Sequence, residues 1–133
     1  IYLQDSGTQI GDITVWGSPW QPELGDWAFN LPRGGAALGQ VWSLIPPQID
    51  LLLTHGPPYG ILDRVKKRHA GCAQLRGAVE RIKPLCHAFG HIHEGYGTEE
   101  RDGTLFLNCS NMDGDYRLVH PAVVCDWIPL SQQ

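Results

Sequence analysis

The strongest constraint in this sequence is a pair of short apolar runs, each ending on a histidine inside a glycine- or proline-rich turn, with helix-patterned chain between them. The first run is Ile49 to Thr54, preceded by Pro46-Pro47 and followed by His55-Gly56-Pro57-Pro58. A nearly continuous apolar run of that length fits a buried strand covered on both faces. The second is Leu85 to Phe89, which leads into Gly90-His91-Ile92-His93-Glu94-Gly95. Between the two, Cys72, Leu75, Val79 and Ile82 recur at helical spacing and Pro84 closes the segment. A strand, a helix and a second strand imply a crossover connection and parallel neighbours.

The flanking chain extends this pattern. Ile10 to Trp16 alternates as a strand should and stops at Gly17-Ser18-Pro19. Pro22, Gly25, Asn30, Pro32, Gly34 and Gly35 predict irregular backbone from Trp20 to Gly35, where Trp20, Trp27 and Phe29 supply aromatic surface. Leu38, Val41, Trp42 and Ile45 fall at helical spacing before Pro46-Pro47. Leu105 to Asn108 and Ala122 to Ile128 read as two closing strands. The expected class is α/β with a mixed sheet, a single domain over residues 1–133, and a site outside the carboxyl ends of the strands.

Composition removes several function classes. With 10 Lys and Arg against 14 Asp and Glu the net charge is −4, which argues against a basic nucleic-acid-binding face. No apolar run approaches the roughly 20 residues of a membrane-spanning helix, and no signal peptide is legible. The four cysteines, Cys72, Cys86, Cys109 and Cys125, form no C-x-x-C pair, so buried reduced thiols in an intracellular, cytoplasmic protein are expected. Asn108-Cys109-Ser110 matches the glycosylation acceptor pattern, but nothing else in the sequence points to secretion.

His91 and His93 are one residue apart, so in extended chain both rings project to the same side, toward one metal ion or two adjacent ones. The bland alternative is a pair of surface histidines on a turn. His55, at the end of another buried run beside the side-chain-free Gly56, adds a third imidazole. Neutral imidazole is the common ligand of zinc, manganese and iron. His69, His87 and His120 read as structural: His69 solvated after Lys66-Lys67-Arg68, His87 packed beside the sheet, His120 in a turn before Pro121. The Arg64 to Arg68 charge run reads as a solvated edge, with phosphate steering as the alternative. Glu94 is either a partner of a ligand or a surface acid. A cupin-like site of His91, His93 and Glu99 would need an all-β barrel, which the helical segment opposes.

The stretches Gly17 to Pro22 (GSPWQP), Trp27 to Gly34 (WAFNLPRG), Thr54 to Pro58 (THGPP) and Phe89 to Gly97 (FGHIHEGYG) together resemble the calcineurin-like metallophosphoesterases, within them the metallophosphoesterase-domain-containing group. The resemblance covers nearly the whole chain. It implies a four-layer αββα sandwich with mixed sheets and a two-metal phosphodiesterase or phosphatase in which a metal-activated hydroxide attacks phosphorus. It further implies that His55 and His91 bind one ion and His93 the other. Manganese is the foremost candidate, with iron or zinc as alternatives. Gly17, Ser18, Pro19, Trp20 and Gly56 would line the substrate pocket, and the substrate would be a small phosphoester or a cyclic nucleotide. The family's D-x-H, G-D and G-N-H-E motifs, which supply the bridging carboxylate and the histidine that assists the leaving group, have no counterpart. The only Gly-Asp pairs upstream of His55, Gly11-Asp12 and Gly25-Asp26, lie in segments corresponding to later parts of the family domain. The chain therefore resembles the carboxyl-terminal portion of the domain and carries no general-acid residue, and a catalytically inactive binding module is the alternative reading.

Overall fold

A computed structural model describes residues 1–133, apart from the side chain of Leu130. The elements run in the order β1 (Ser6–Ile10), β2 (Ile13–Ser18), β3 (Gln21–Pro22), β4 (Asn30–Leu31), α1 (Ala36–Ser43), β5 (Leu51–Thr54), β6 (Arg64–Val65), β7 (Arg68–His69), α2 (Ala73–Ile82), β8 (Cys86–Phe89), β9 (Gly97–Arg101) and β10 (Thr104–Asn108). Two short 3-10 turns, His93–Gly95 and Leu130–Gln132, complete them. The main sheet has the order β1-β2-β5-β8-β10-β9. Its four central strands are parallel, and antiparallel β1 and β9 close its edges.

Parallel pairing puts the carboxyl ends of β2, β5, β8 and β10 on one edge, so Ser18, Thr54, Phe89 and Asn108 all deliver their loops to the same place. Both helices pack on one sheet face. Leu38 and Trp42 of α1 and Leu75, Ala78, Val79 and Ile82 of α2 bury against Leu52, Phe89 and Phe106. Each such side chain withdrawn from water contributes about 1.5–3 kcal/mol, which is why these helices hold although α1 has no side-chain cap. The start of α2 is capped by the Cys72 thiol, which accepts from the Leu75 amide. Its end is set by Lys83 in the left-handed region and by Pro84.

The opposite face carries Val15, Leu51, Leu53, Ala88, Leu105 and Leu107, as the strand register dictates. Both chain ends lie over parts of it. Leu3 sits so close to Gly17 that a Cβ there would meet its Cβ at 2.5 Å. Ser131 and Gln132 donate hydrogen bonds to the Asp12 carbonyl and carboxylate. Burial together with the nearby Cys125 and Cys109 thiols pushes the Cys86 thiol up to about 12.

Three sequence expectations are corrected. The strand expected at Ile10 to Trp16 is a hairpin: Gly11, with φ of 58°, turns the chain between β1 and β2. Ala122 to Ile128 is not a strand. Its burial alternates, with Val123, Cys125 and Trp127 half-buried and Val124, Asp126 and Ile128 exposed, but it joins no ladder among the described residues. Of the four free cysteines only Cys72 and Cys86 are buried, whereas Cys109 is exposed and Cys125 half-buried. Among the described residues no helix is long and apolar enough to cross a membrane.

Candidate functional site

β5 ends at Thr54 and β8 at Phe89, on neighbouring strands, so the loops that follow start side by side. A hydrogen bond from the Gly90 amide to the His55 carbonyl, 2.9 Å, joins them. As a result the rings of His55 and His91 face each other, Nε2 to Nδ1, at 3.1 Å. His91 takes up a left-handed backbone, φ of 68°, a conformation that costs a non-glycine residue about 1–2 kcal/mol and is tolerated where the surroundings enforce it. Gly56 lies under it: a Cβ there would stand 3.7 Å from the His91 ring.

Burial favours the neutral form of both imidazoles. Desolvation lowers His55, and it lowers His91 to about 4 with added repulsion from His55, His93 and Arg33. Neutral imidazole is the form that ligates a metal. His93 is oriented separately: its Nδ1–H donates to the Asp113 carbonyl at 2.7 Å, which leaves the Nε2 lone pair free. That carbonyl is the outer partner such a ligand requires, and residue type gave no means of finding it in the sequence. Among the described residues no three His, Cys, Asp or Glu side chains gather as a metal site. The donor set fits part of a metal centre, with two nitrogens converging and a third imidazole oriented two residues away.

The supporting structure is buried and polar. His87 is wholly buried between Phe89 and Phe106, as its packed reading expected. The Thr54 hydroxyl donates to the Gly56 carbonyl, so it must accept from His87 Nε2–H at 2.8 Å, and the loop bearing His55 is tied to the core. Asn108, also wholly buried, donates from Nδ2 to the carbonyls of Leu62 and Ile92 and accepts the Ser110 amide. Its side chain joins the end of β10 to the histidine turn and to the loop after β5. It is therefore not a glycosylation site in the folded chain.

An open cleft of about 1100 Å³ adjoins His91 and His93, with Trp27, Arg33, Lys66, Lys67, Arg68 and Tyr116 among its other walls. Of the expected pocket residues, Gly17, Ser18 and Pro19 line a separate depression of about 390 Å³, of which His55 is also a wall. Trp20 does not line it. Its indole donates to Asp5, which also accepts from Ser18, and its ring meets Phe29 edge-on, so it anchors a loop. Trp27 is the tryptophan of the cleft, edge-on to His91 at 5.6 Å. His69 is exposed but not merely solvated, since its Nδ1 meets the buried Asp63 carboxylate at 2.7 Å. His120 stacks on Tyr96 at 4.1 Å. A cavity of about 260 Å³ between Lys83, Arg101 and Phe106 lies at the other end of the sheet, remote from the histidines.

The chain is 47% identical over 129 residues to metallophosphoesterase domain-containing protein 1 of Homo sapiens and of Mus musculus, matching 95% of this chain and 39% of each relative. A UPF0046 protein of Caenorhabditis elegans is 44% identical over 128 residues, 95% of this chain and 32% of that protein. The chain thus spans about two fifths or less of the length of these curated relatives. One solved structure superposes with a TM-score of 0.55 at 22% identity, covering 81% of this chain and 45% of its own, a likeness of fold. No protein-family model matches.

Proposed function

Since this chain belongs to the metallophosphoesterase-domain-containing family, we propose that it is the histidine-bearing, carboxyl-terminal side of a metal-dependent phosphoester hydrolase, a phosphodiesterase or phosphatase acting on a small phosphoester or cyclic nucleotide. The observation that carries this reading is the approach of His55 Nε2 and His91 Nδ1 to 3.1 Å at the carboxyl ends of adjacent parallel strands. His55, His91 and His93 would hold divalent ions, manganese foremost, with iron or zinc as alternatives, and the upstream portion of the domain would supply the carboxylate donors. Bound ions would supply Lewis acidity toward the phosphoryl oxygens.

The chain's own residues contribute position. The Asp113 carbonyl fixes the tautomer of His93, the His87–Thr54–Gly56 chain fixes the loop of His55, and the left-handed backbone of His91 turns its ring toward His55. The apolar outer face, on which Leu53 remains 36% exposed, would receive the upstream part of the domain. A second reading, a catalytically silent module, is favoured for these 133 residues alone by the lack of any three-donor cluster among the described residues. Hydrolysis of bis(p-nitrophenyl) phosphate with Mn²⁺ separates the two. The protein carrying its upstream sequence should turn over and lose that activity in His91→Ala and His93→Ala, whereas full activity in both variants refutes the assignment.

A further inference from the structure

The Arg64 to His69 segment is a small β6–β7 hairpin, with Lys66 in the left-handed region at its turn. Its Lys66, Lys67 and Arg68 form a wall of the cleft that also holds His91 and His93. The chain carries a net charge of −4, yet four cations fall within five consecutive positions here. Elsewhere Arg76, Arg101 and Arg117 each pair with a carboxylate. Among the described residues Arg64, Lys66, Lys67 and Arg68 pair with none. Glu94 is the carboxylate on the same cleft wall.

The hairpin is also held rigidly with respect to the histidines. The buried Asp63 carboxylate at its base accepts from the Gly60 and Gly71 amides and meets His69. Arg33 donates to the Ala70 and Gly71 carbonyls. Asn108 ties the Leu62 carbonyl to that of Ile92, and Gly95 packs against Leu62 so closely that no Cβ fits. Unpaired cations fixed beside a candidate phosphoryl site form a preorganised anion site, a local positive wall in a chain whose net charge is −4. The exposed rings of Trp27 and Tyr116, edge-on to His91 and His93, offer flat surface in the same cleft.

We propose that this hairpin is a second phosphate-binding element, which selects nucleotide-type phosphoesters bearing a further phosphate besides the scissile one. The inference rests on the phosphoester reading above and deepens it. The test uses the full-length protein with Mn²⁺ and two substrates, the p-nitrophenyl ester of thymidine 5′-phosphate with and without a 3′-phosphate. The 3′-phosphorylated ester should show about tenfold higher kcat/KM at about 50 mM salt, falling toward parity as salt screens the cations. Lys66→Gln, Lys67→Gln and Arg68→Gln combined should bring the ratio close to one, while Lys66→Arg with Lys67→Arg should keep it. Equal kcat/KM in the unmodified protein, or a ratio that survives the triple substitution, overturns the inference. If neither ester is hydrolysed, the phosphoester reading fails on its own, and calorimetric titration still decides the hairpin's role. Thymidine 3′,5′-bisphosphate binding about tenfold tighter than thymidine 5′-monophosphate, with the difference lost in the triple variant, supports it, and equal affinities overturn it.

Discussion

Asn108→Ala should do more damage than any other single truncation around the site, because one buried amide joins three loops. The side chain makes three hydrogen bonds, Nδ2 to Leu62 O at 3.0 Å, Nδ2 to Ile92 O at 2.8 Å and the Ser110 amide to Oδ1 at 3.0 Å. Truncation strands two carbonyls and one amide where water has little access, at about 1 kcal/mol or somewhat more each, so a loss of about 3–4 kcal/mol is expected. With a urea m-value of about 1.5–2 kcal/mol/M for a domain of this size, the unfolding midpoint should fall by about 2 M. Asn108→Asp separates the contributions: it keeps the acceptor for Ser110 but sets a carboxylate against two carbonyls, so it should be at least as destabilising. Urea unfolding followed by circular dichroism measures both, and amide spectra should show the His91 to Gly95 turn shifting in the folded variants. A midpoint within about 0.3 M of the parent for Asn108→Ala, at unchanged m, would refute the claim that this side chain holds the site together.

Two further predictions follow from the same surroundings. Gly95→Ala would place a Cβ 1.9 Å from the Leu62 carbonyl oxygen, a backbone atom that cannot swing away, so the turn and hairpin should separate and the unfolding midpoint should drop sharply; an unchanged midpoint contradicts the geometry. His87 is lowered to about 3 by burial, and its Nδ1 has no partner to receive an added proton's hydrogen bond. Below pH 6.5 the unfolded chain therefore binds a proton that the folded chain refuses. The His87 contribution to stability should therefore fall by about 1.4 kcal/mol per pH unit from 6.5 down to about 3, and be fully present above 6.5. His87→Phe should remove one proton from that dependence, and an identical slope in parent and variant would contradict it.

The legible parts of the fold were those where burial writes a pattern into the chain. Leu51–Thr54 and Cys86–Phe89 are central strands covered by helices on one face, so they read as apolar runs, and α2 shows its buried stripe at helical spacing. β9 escaped notice because it is a polar edge strand, Gly-Thr-Glu-Glu-Arg, with Thr98 and Glu100 exposed, whose ladder to β10 needs no apolar signal. Ala122 to Ile128 misled for the converse reason: it has strand alternation and a face to lie on, but periodicity records burial and says nothing of backbone partners. The meeting of His55 with His91 was legible from two histidines placed at the ends of neighbouring strands. Their supports were not. A main-chain carbonyl at Asp113 carries no side-chain signature, and Asn108 matched a glycosylation pattern that its complete burial contradicts. The Arg64 to Arg68 run shows the limit of charge counting, since only the fold reveals that a solvated edge is also the wall of the histidine cleft.

The central claim is that the three imidazoles at the ends of β5 and β8 form one side of a metal centre completed by upstream sequence. Metal content of the full-length protein after Mn²⁺ loading and gel filtration, measured by mass spectrometry, tests it most directly. The account predicts two bound ions per chain in the parent, and loss of bound metal in His55→Ala, His91→Ala and His93→Ala at unchanged folding. Two ions retained in all three variants would contradict it.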